Sequence, residues 1–120
     1  MDVRIKATSF DLTPEINDYT EERLMAIRHM LGESNGSERC EVELGRSAGH
    51  SKRGDVWFAE INLFASDGSR FFAREEAESI NAAIDAVKDE ILAQMRKAKK
   101  AGRGAMKKGG AFFKRLLRRD

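Results

Sequence analysis

The strongest constraint on this chain is where its apolar period changes. In four short runs apolar residues occupy every second position, and in two longer stretches they recur every three to four. A period of two belongs to a strand buried on one face, and a period near 3.6 belongs to an amphipathic helix. Val3, Ile5 and Ala7 alternate with Arg4, Lys6 and Thr8, and Cys40, Val42 and Leu44 alternate with Glu41, Glu43 and Gly45. Trp57, Ala59, Ile61 and Leu63 alternate with Phe58, Glu60 and Asn62, and Phe71 and Ala73 alternate with Arg70, Phe72 and Arg74. Between the first two runs, Ile16, Thr20, Leu24, Ile27 and Leu31 form one helical stripe. After the fourth, Ile80, Ala83, Ile84, Val87, Ile91 and Met95 form another. The predicted order is β-α-β-β-β-α.

Punctuation agrees with these periods. Thr13 is placed to cap the first helix, Pro14 suits its first position, and Glu15 and Asp18 lie where the helix dipole favours acids. Gly32 ends it, and Gly32–Ser37 reads as a loop. A second loop, rich in Gly, Ser and basic residues, is expected over Arg46–Gly54, and Asp67-Gly68 signals a hairpin. The last helix opens after Glu75, Glu76 and Glu78 with Ser79 as cap, and Gly102 and Gly104 are expected to break it. Two helices with one apolar stripe each must cover the same face of the four-stranded sheet, which makes the fold class α+β. The hairpins make the last three strands antiparallel, while the first, reached through a helix, is free to lie parallel to a neighbour. The opposite face is expected to be mostly solvated, with Phe58 and Phe72 as an aromatic pair across the hairpin.

With 120 residues, 41% of them apolar, the chain has material for one modest core. We expect a single α+β domain over 1–100 and a Gly-rich basic tail over 101–120. No apolar run is long enough to span a membrane, and the N-terminus has no apolar signal-peptide segment. The net charge of +2 hides an asymmetry. Residues 1–93 hold 11 Lys and Arg against 19 Asp and Glu, a balance of −8, whereas residues 94–120 hold 11 against one, a balance of +10. An acidic body with a basic end points to a polyanionic partner.

Chemistry is hard to find. His29, His50 and the single cysteine, Cys40, lack zinc-ligand spacing, and Cys40 sits at an inward strand position. There is no nucleophile elbow and no Gly-rich phosphate loop. No catalytic residue, metal or cofactor is therefore expected, nor a small-molecule substrate or a membrane as partner. The basic residues carry more. Lys88, Arg96, Lys99 and Lys100 project off the apolar stripe of the last helix and Lys97 from its flank, which reads as a phosphate-contacting ridge. His50, Lys52 and Arg53 form a second cluster in the long loop. The tail mixes Phe112, Phe113, Leu116 and Leu117 with Lys114, Arg115, Arg118 and Arg119. It suits stacking and phosphate contact on nucleic acid, docking in a protein groove, or an anionic membrane, on which so short a segment anchors weakly.

At HSKRGDVWFAEINL (His50–Leu63), the following DG, and ESINAAIDAVKDEILAQMRKAKK (Glu78–Lys100), the chain resembles the ribosome hibernation-promoting factors, also called ribosome-associated translation inhibitors. LTPEI (Leu12–Ile16), opening a helix after a short strand, extends the resemblance over about residues 1–100. The resemblance implies a fold related to double-stranded RNA-binding domains. It also implies a binding protein that sits in the mRNA channel of the small ribosomal subunit, over the tRNA sites, and contacts rRNA through basic residues on its helices. By position it nominates Lys88, Arg96, Lys97, Lys99 and Lys100, and with less support Arg23, Arg28 and Lys6. Many members have an Asp and a Tyr just before the Ala-Ile-Asp motif, where this chain has Ser79 and Asn81. Long members add a C-terminal dimerisation domain for which 120 residues leave no room, so a short-form factor, monomeric when free, is expected. It would act in the cytoplasm by steric occlusion. A non-ribosomal RNA-binding module and a small hydrolytic enzyme on the same scaffold are the alternatives. Residues 102–110 are expected to be a flexible tether, with 102–120 gaining order on the ribosome.

Overall fold

The structure, a computed structural model, describes residues 1–32, 36–47 and 56–108, with side chains described as far as Ala101. Its order is β1 (Asp2–Thr8), α1 (Pro14–Leu31), β2 (Arg39–Arg46), β3 (Trp57–Phe64), β4 (Arg70–Ala77) and α2 (Ile80–Lys108). The strands form one sheet in the order β1-β2-β3-β4. β1 runs parallel to β2, and the β2–β3 and β3–β4 pairs are antiparallel. The α+β reading and the element order thus hold.

Both helices begin as their sequences dictate. The Thr13 hydroxyl accepts from the Ile16 N–H at 3.2 Å, with Pro14 in the first turn, and the Ser79 hydroxyl accepts from the Ala82 N–H at 3.1 Å. Each satisfies a donor the helix leaves orphaned. Gly32, at φ 71°, closes α1 by donating its N–H to the carbonyls of Arg28 and His29. Between β3 and β4 the Ala65 N–H donates to the Ser69 carbonyl at 2.9 Å, and Gly68 supplies the positive φ of 93°.

The core lies between the helices and one sheet face. Leu24 and Ile27 of α1 and Ala83, Ile84, Val87, Ile91 and Met95 of α2 are buried with Cys40, Val42, Leu44, Ala59, Ile61, Leu63 and Ala73. Thr20, buried on the α1 stripe, returns its hydroxyl proton to the Ile16 carbonyl at 2.7 Å, so its one polar group costs little there. Burial holds the Cys40 thiol up at about 12, a protonated core residue.

Two expectations fail. The outer face carries no aromatic pair across the hairpin: the register sets Phe58 opposite Glu76 and Phe72 opposite Asn62. Phe58 is only 6% exposed, because Gly45 leaves room for its ring and the Arg74 guanidinium covers it at 3.9 Å. Phe72 remains half exposed. Second, α2 does not break at Gly102 and Gly104 but runs through both to Lys108, so 102–108 is helix rather than tether. Glycine costs a helix about 1 kcal/mol relative to alanine, which weakens it without forbidding it. The 29 residues of α2 measure about 44 Å against about 27 Å for an eight-residue strand, so its C-terminal third outreaches the sheet.

Candidate nucleic-acid interface

α2 changes character along its length. Its first half carries the core stripe and the acids Asp85, Asp89 and Glu90, and its second half carries Arg96, Lys97, Lys99 and Lys100. At about 100° per residue, Arg96, Lys97 and Lys100 span the arc opposite the Ile84–Ile91–Met95 stripe. All three are exposed, and none forms an ion pair among the described residues. Their charges are therefore available to an external anion.

The other nominated cations are partly committed. The Lys99 ammonium donates to the Met30 carbonyl at 3.3 Å, satisfying one of the orphan acceptors at the end of α1. Lys88 is 19% exposed and lies 2.8 Å from Asp89. Arg23 is held within the fold: its Nε donates to Asp85 Oδ1 at 2.9 Å, it pairs with Glu22 at 2.7 Å, and its guanidinium lies 4.4 Å from the Tyr19 ring centre. Tyr19 in turn donates to Asp85 Oδ2 at 2.8 Å, so the cluster fastens α1 to α2. The hydrogen bonds with Tyr19 and then Asp85 raise the Arg23 pKa further above its ordinary value. Arg28, in the last turn of α1, is exposed and makes no ion pair among the described residues.

Lys6 stands on the opposite side of the molecule, on the outer sheet face, in register with Glu43. With Arg4, Glu41, Glu43, Glu60 and Asn62 it lines a shallow depression of about 310 Å³. Glu43 and Glu60 face each other across β2 and β3, offset by the Thr8 hydroxyl on Glu43 and by Arg74 on Glu60 at 3.1 Å. Three carboxylates thus share this depression with the two cations Arg4 and Lys6. Lys52 and Arg53 lie outside the described residues, as do the tail positions Phe112, Phe113, Lys114, Arg115, Arg118 and Arg119.

An open groove of about 680 Å³ between the helices is lined by Met25, Ala26, His29, Met30, Leu92 and Lys99. It gathers no acid, nucleophile and base in one place. No cluster of His, Cys, Asp or Glu among the described residues could hold a metal ion, and no described helix is long and apolar enough to cross a membrane.

Two further cations escaped the sequence reading. Gln94 donates its amide to the Phe72 carbonyl at 2.9 Å, which fixes α2 along β4. Arg70, two residues earlier on β4, therefore lies toward the basic half of α2, and Arg39 enters the same end of the sheet on β2. Each looks like an ordinary strand-end arginine until the register is known.

A family model described as sigma 54 modulation protein / S30EA ribosomal protein matches residues 3–103. Among solved structures, the N-terminal domain of Thermus thermophilus Protein Y is similar at 24% identity with a TM-score of 0.63, covering 81% of this chain and 98% of that one. A ribosomal subunit interface protein from Coxiella burnetii is similar at 16% identity with a TM-score of 0.65, covering 83% of this chain and 99% of that one. At these identities the likeness is one of fold. None of the curated proteins matches. The family match runs from β1 into the basic half of α2 and takes in every element described above, so the chain belongs to the sigma 54 modulation protein / S30EA ribosomal protein family.

Proposed function

We propose that this protein is a ribosome-associated translation inhibitor, a hibernation factor that enters the mRNA and tRNA decoding channel of the small ribosomal subunit and blocks it by occupancy. The observation that carries the reading is the outward arc of Arg96, Lys97 and Lys100, free of ion pairs among the described residues, on the second half of α2. A helix face of unpaired cations can lie along an RNA wall of the channel while the compact body fills the space beside it. Family membership supports the ribosome as partner, since the family description names a ribosomal protein. The Coxiella burnetii protein of the same fold is described as a ribosomal subunit interface protein.

The mechanism needs no bond-making step. Cations replace counterions on rRNA phosphates, and the body excludes mRNA and tRNA by volume. The protein acts as a binding protein rather than an enzyme, in the cytoplasm, and is a monomer when free. Sedimentation of purified protein with separated small and large subunits tests the reading. Co-migration with small subunits at low salt, release at high salt, and competition with mRNA binding are expected. Protein that stays at the top of the gradient at low salt overturns it.

A further inference from the structure

The outer sheet face ends in an arrangement that the arc on α2 does not explain. Phe64, the last residue of β3, stands in register between Arg39 of β2 and Arg70 of β4. Both guanidiniums rest on its ring, Arg39 at 4.3 Å and Arg70 at 4.9 Å from the centroid. Arg39 also pairs with Glu41 at 3.2 Å, a contact open to solvent. Arg70 is exposed and makes no ion pair among the described residues. The nearby Asp67 is occupied in the turn, where it accepts from the Ser69 N–H at 2.9 Å.

A guanidinium laid on an aromatic ring keeps its N–H edge free and loses part of its rotamer freedom in advance. Two of them, rooted on strands about 10 Å apart, make a bracket whose open edges suit phosphate oxygens. The bracket also has a neighbour. Gln94 anchors α2 to β4 at Phe72, and Lys97, three residues on, shares the Gln94 flank. Lys97, Arg70 and Arg39 thus follow one another from the helix layer, over the β4 edge, onto the outer sheet face.

We infer that Arg39 and Arg70, held on Phe64, form a second phosphate-binding site for RNA, which extends the contact of α2 around the end of the sheet. The inference rests on the ribosomal reading above and adds to it a second surface, reached across the β4 edge. Glu41, Glu43 and Glu60 lie beyond it on the same face, with Glu60 paired to Arg74, so the site is confined to this end.

The test is titration of purified small ribosomal subunits with the full chain, the Arg39→Gln/Arg70→Gln variant, the Arg96→Gln/Lys100→Gln variant and Phe64→Leu, over a range of salt. Melting temperatures verify that each is folded. The Arg39→Gln/Arg70→Gln variant is expected to bind roughly 10-fold or more weakly, with a log K against log salt slope shallower by about 1.5. Phe64→Leu keeps both charges and is expected to lose affinity a few-fold, an effect that a diffuse charged patch would not show. Wild-type affinity and slope in Arg39→Gln/Arg70→Gln, beside weakened Arg96→Gln/Lys100→Gln, overturn the second site and leave the ribosomal reading standing. Failure of the unaltered chain to bind small subunits removes both.

Discussion

Arg23 and Arg96 show how little residue type says about availability. Both are helical arginines, yet Arg23 is spent on Asp85, Glu22 and the Tyr19 ring, while Arg96 faces solvent without an ion pair among the described residues. The same dependence on surroundings makes Gly45 a sensitive position. A Cβ there would lie 2.6 Å from the Phe58 ring and 2.8 Å from the Thr8 carbonyl oxygen. Gly45→Ala is expected to lower unfolding stability by about 1–3 kcal/mol, read from the urea midpoint, because ring and backbone cannot both withdraw. Cys40 gives a pH signature. Its folded pKa of about 12 exceeds the ordinary value of 9.0, so the unfolded chain loses the thiol proton first and stability falls as pH rises between those values. Against Cys40→Ala, the native chain is expected to show an extra loss of stability from about pH 8 to about pH 10.5, and an equal slope in both would contradict it.

At the scale of elements, capping residues were legible and helix length was not. Thr13, Ser79 and Gly32 act through bonds to residues three or four positions away, so local sequence carries their signal. The end of α2 is different. Gly102 and Gly104 permit many backbone states, and their presence could not tell a break from a weakened helix. Gly102→Ala/Gly104→Ala is expected to stabilise this end of α2 by up to about 1 kcal/mol per site. Slower amide exchange over 98–108 and a gain in helical ellipticity are the measurements, and unchanged exchange would count against a continuous helix.

For the whole molecule, what matters is how charge is sorted in space. The −8 balance of residues 1–93 and the +10 of 94–120 were countable in the chain, but the acidic strip of Glu41, Glu43 and Glu60 and the cationic arc of α2 face different directions. If about five phosphates are engaged, log K for small subunits is expected to fall with log salt at a slope of roughly −3.5 to −4.5. Arg96→Glu/Lys100→Glu is expected to abolish binding while leaving the melting temperature within a degree or two, since neither side chain enters the core. Ile84→Asp is expected instead to unfold the domain by leaving a charge in the core, where Ile84 is 2% exposed. Normal binding by the charge-reversed protein would remove α2 from the interface.

The chain by itself determined its elements, their order and the two buried stripes, because periodicity and capping act over a few residues. Only the tertiary structure decided which cations are free. The Tyr19–Asp85 and Arg23–Asp85 bonds join residues 66 and 62 positions apart. The Arg39–Phe64–Arg70 bracket exists only in the β2–β3–β4 register. Ion pairing and register are settled by packing between distant segments, and no local pattern in the sequence records that packing.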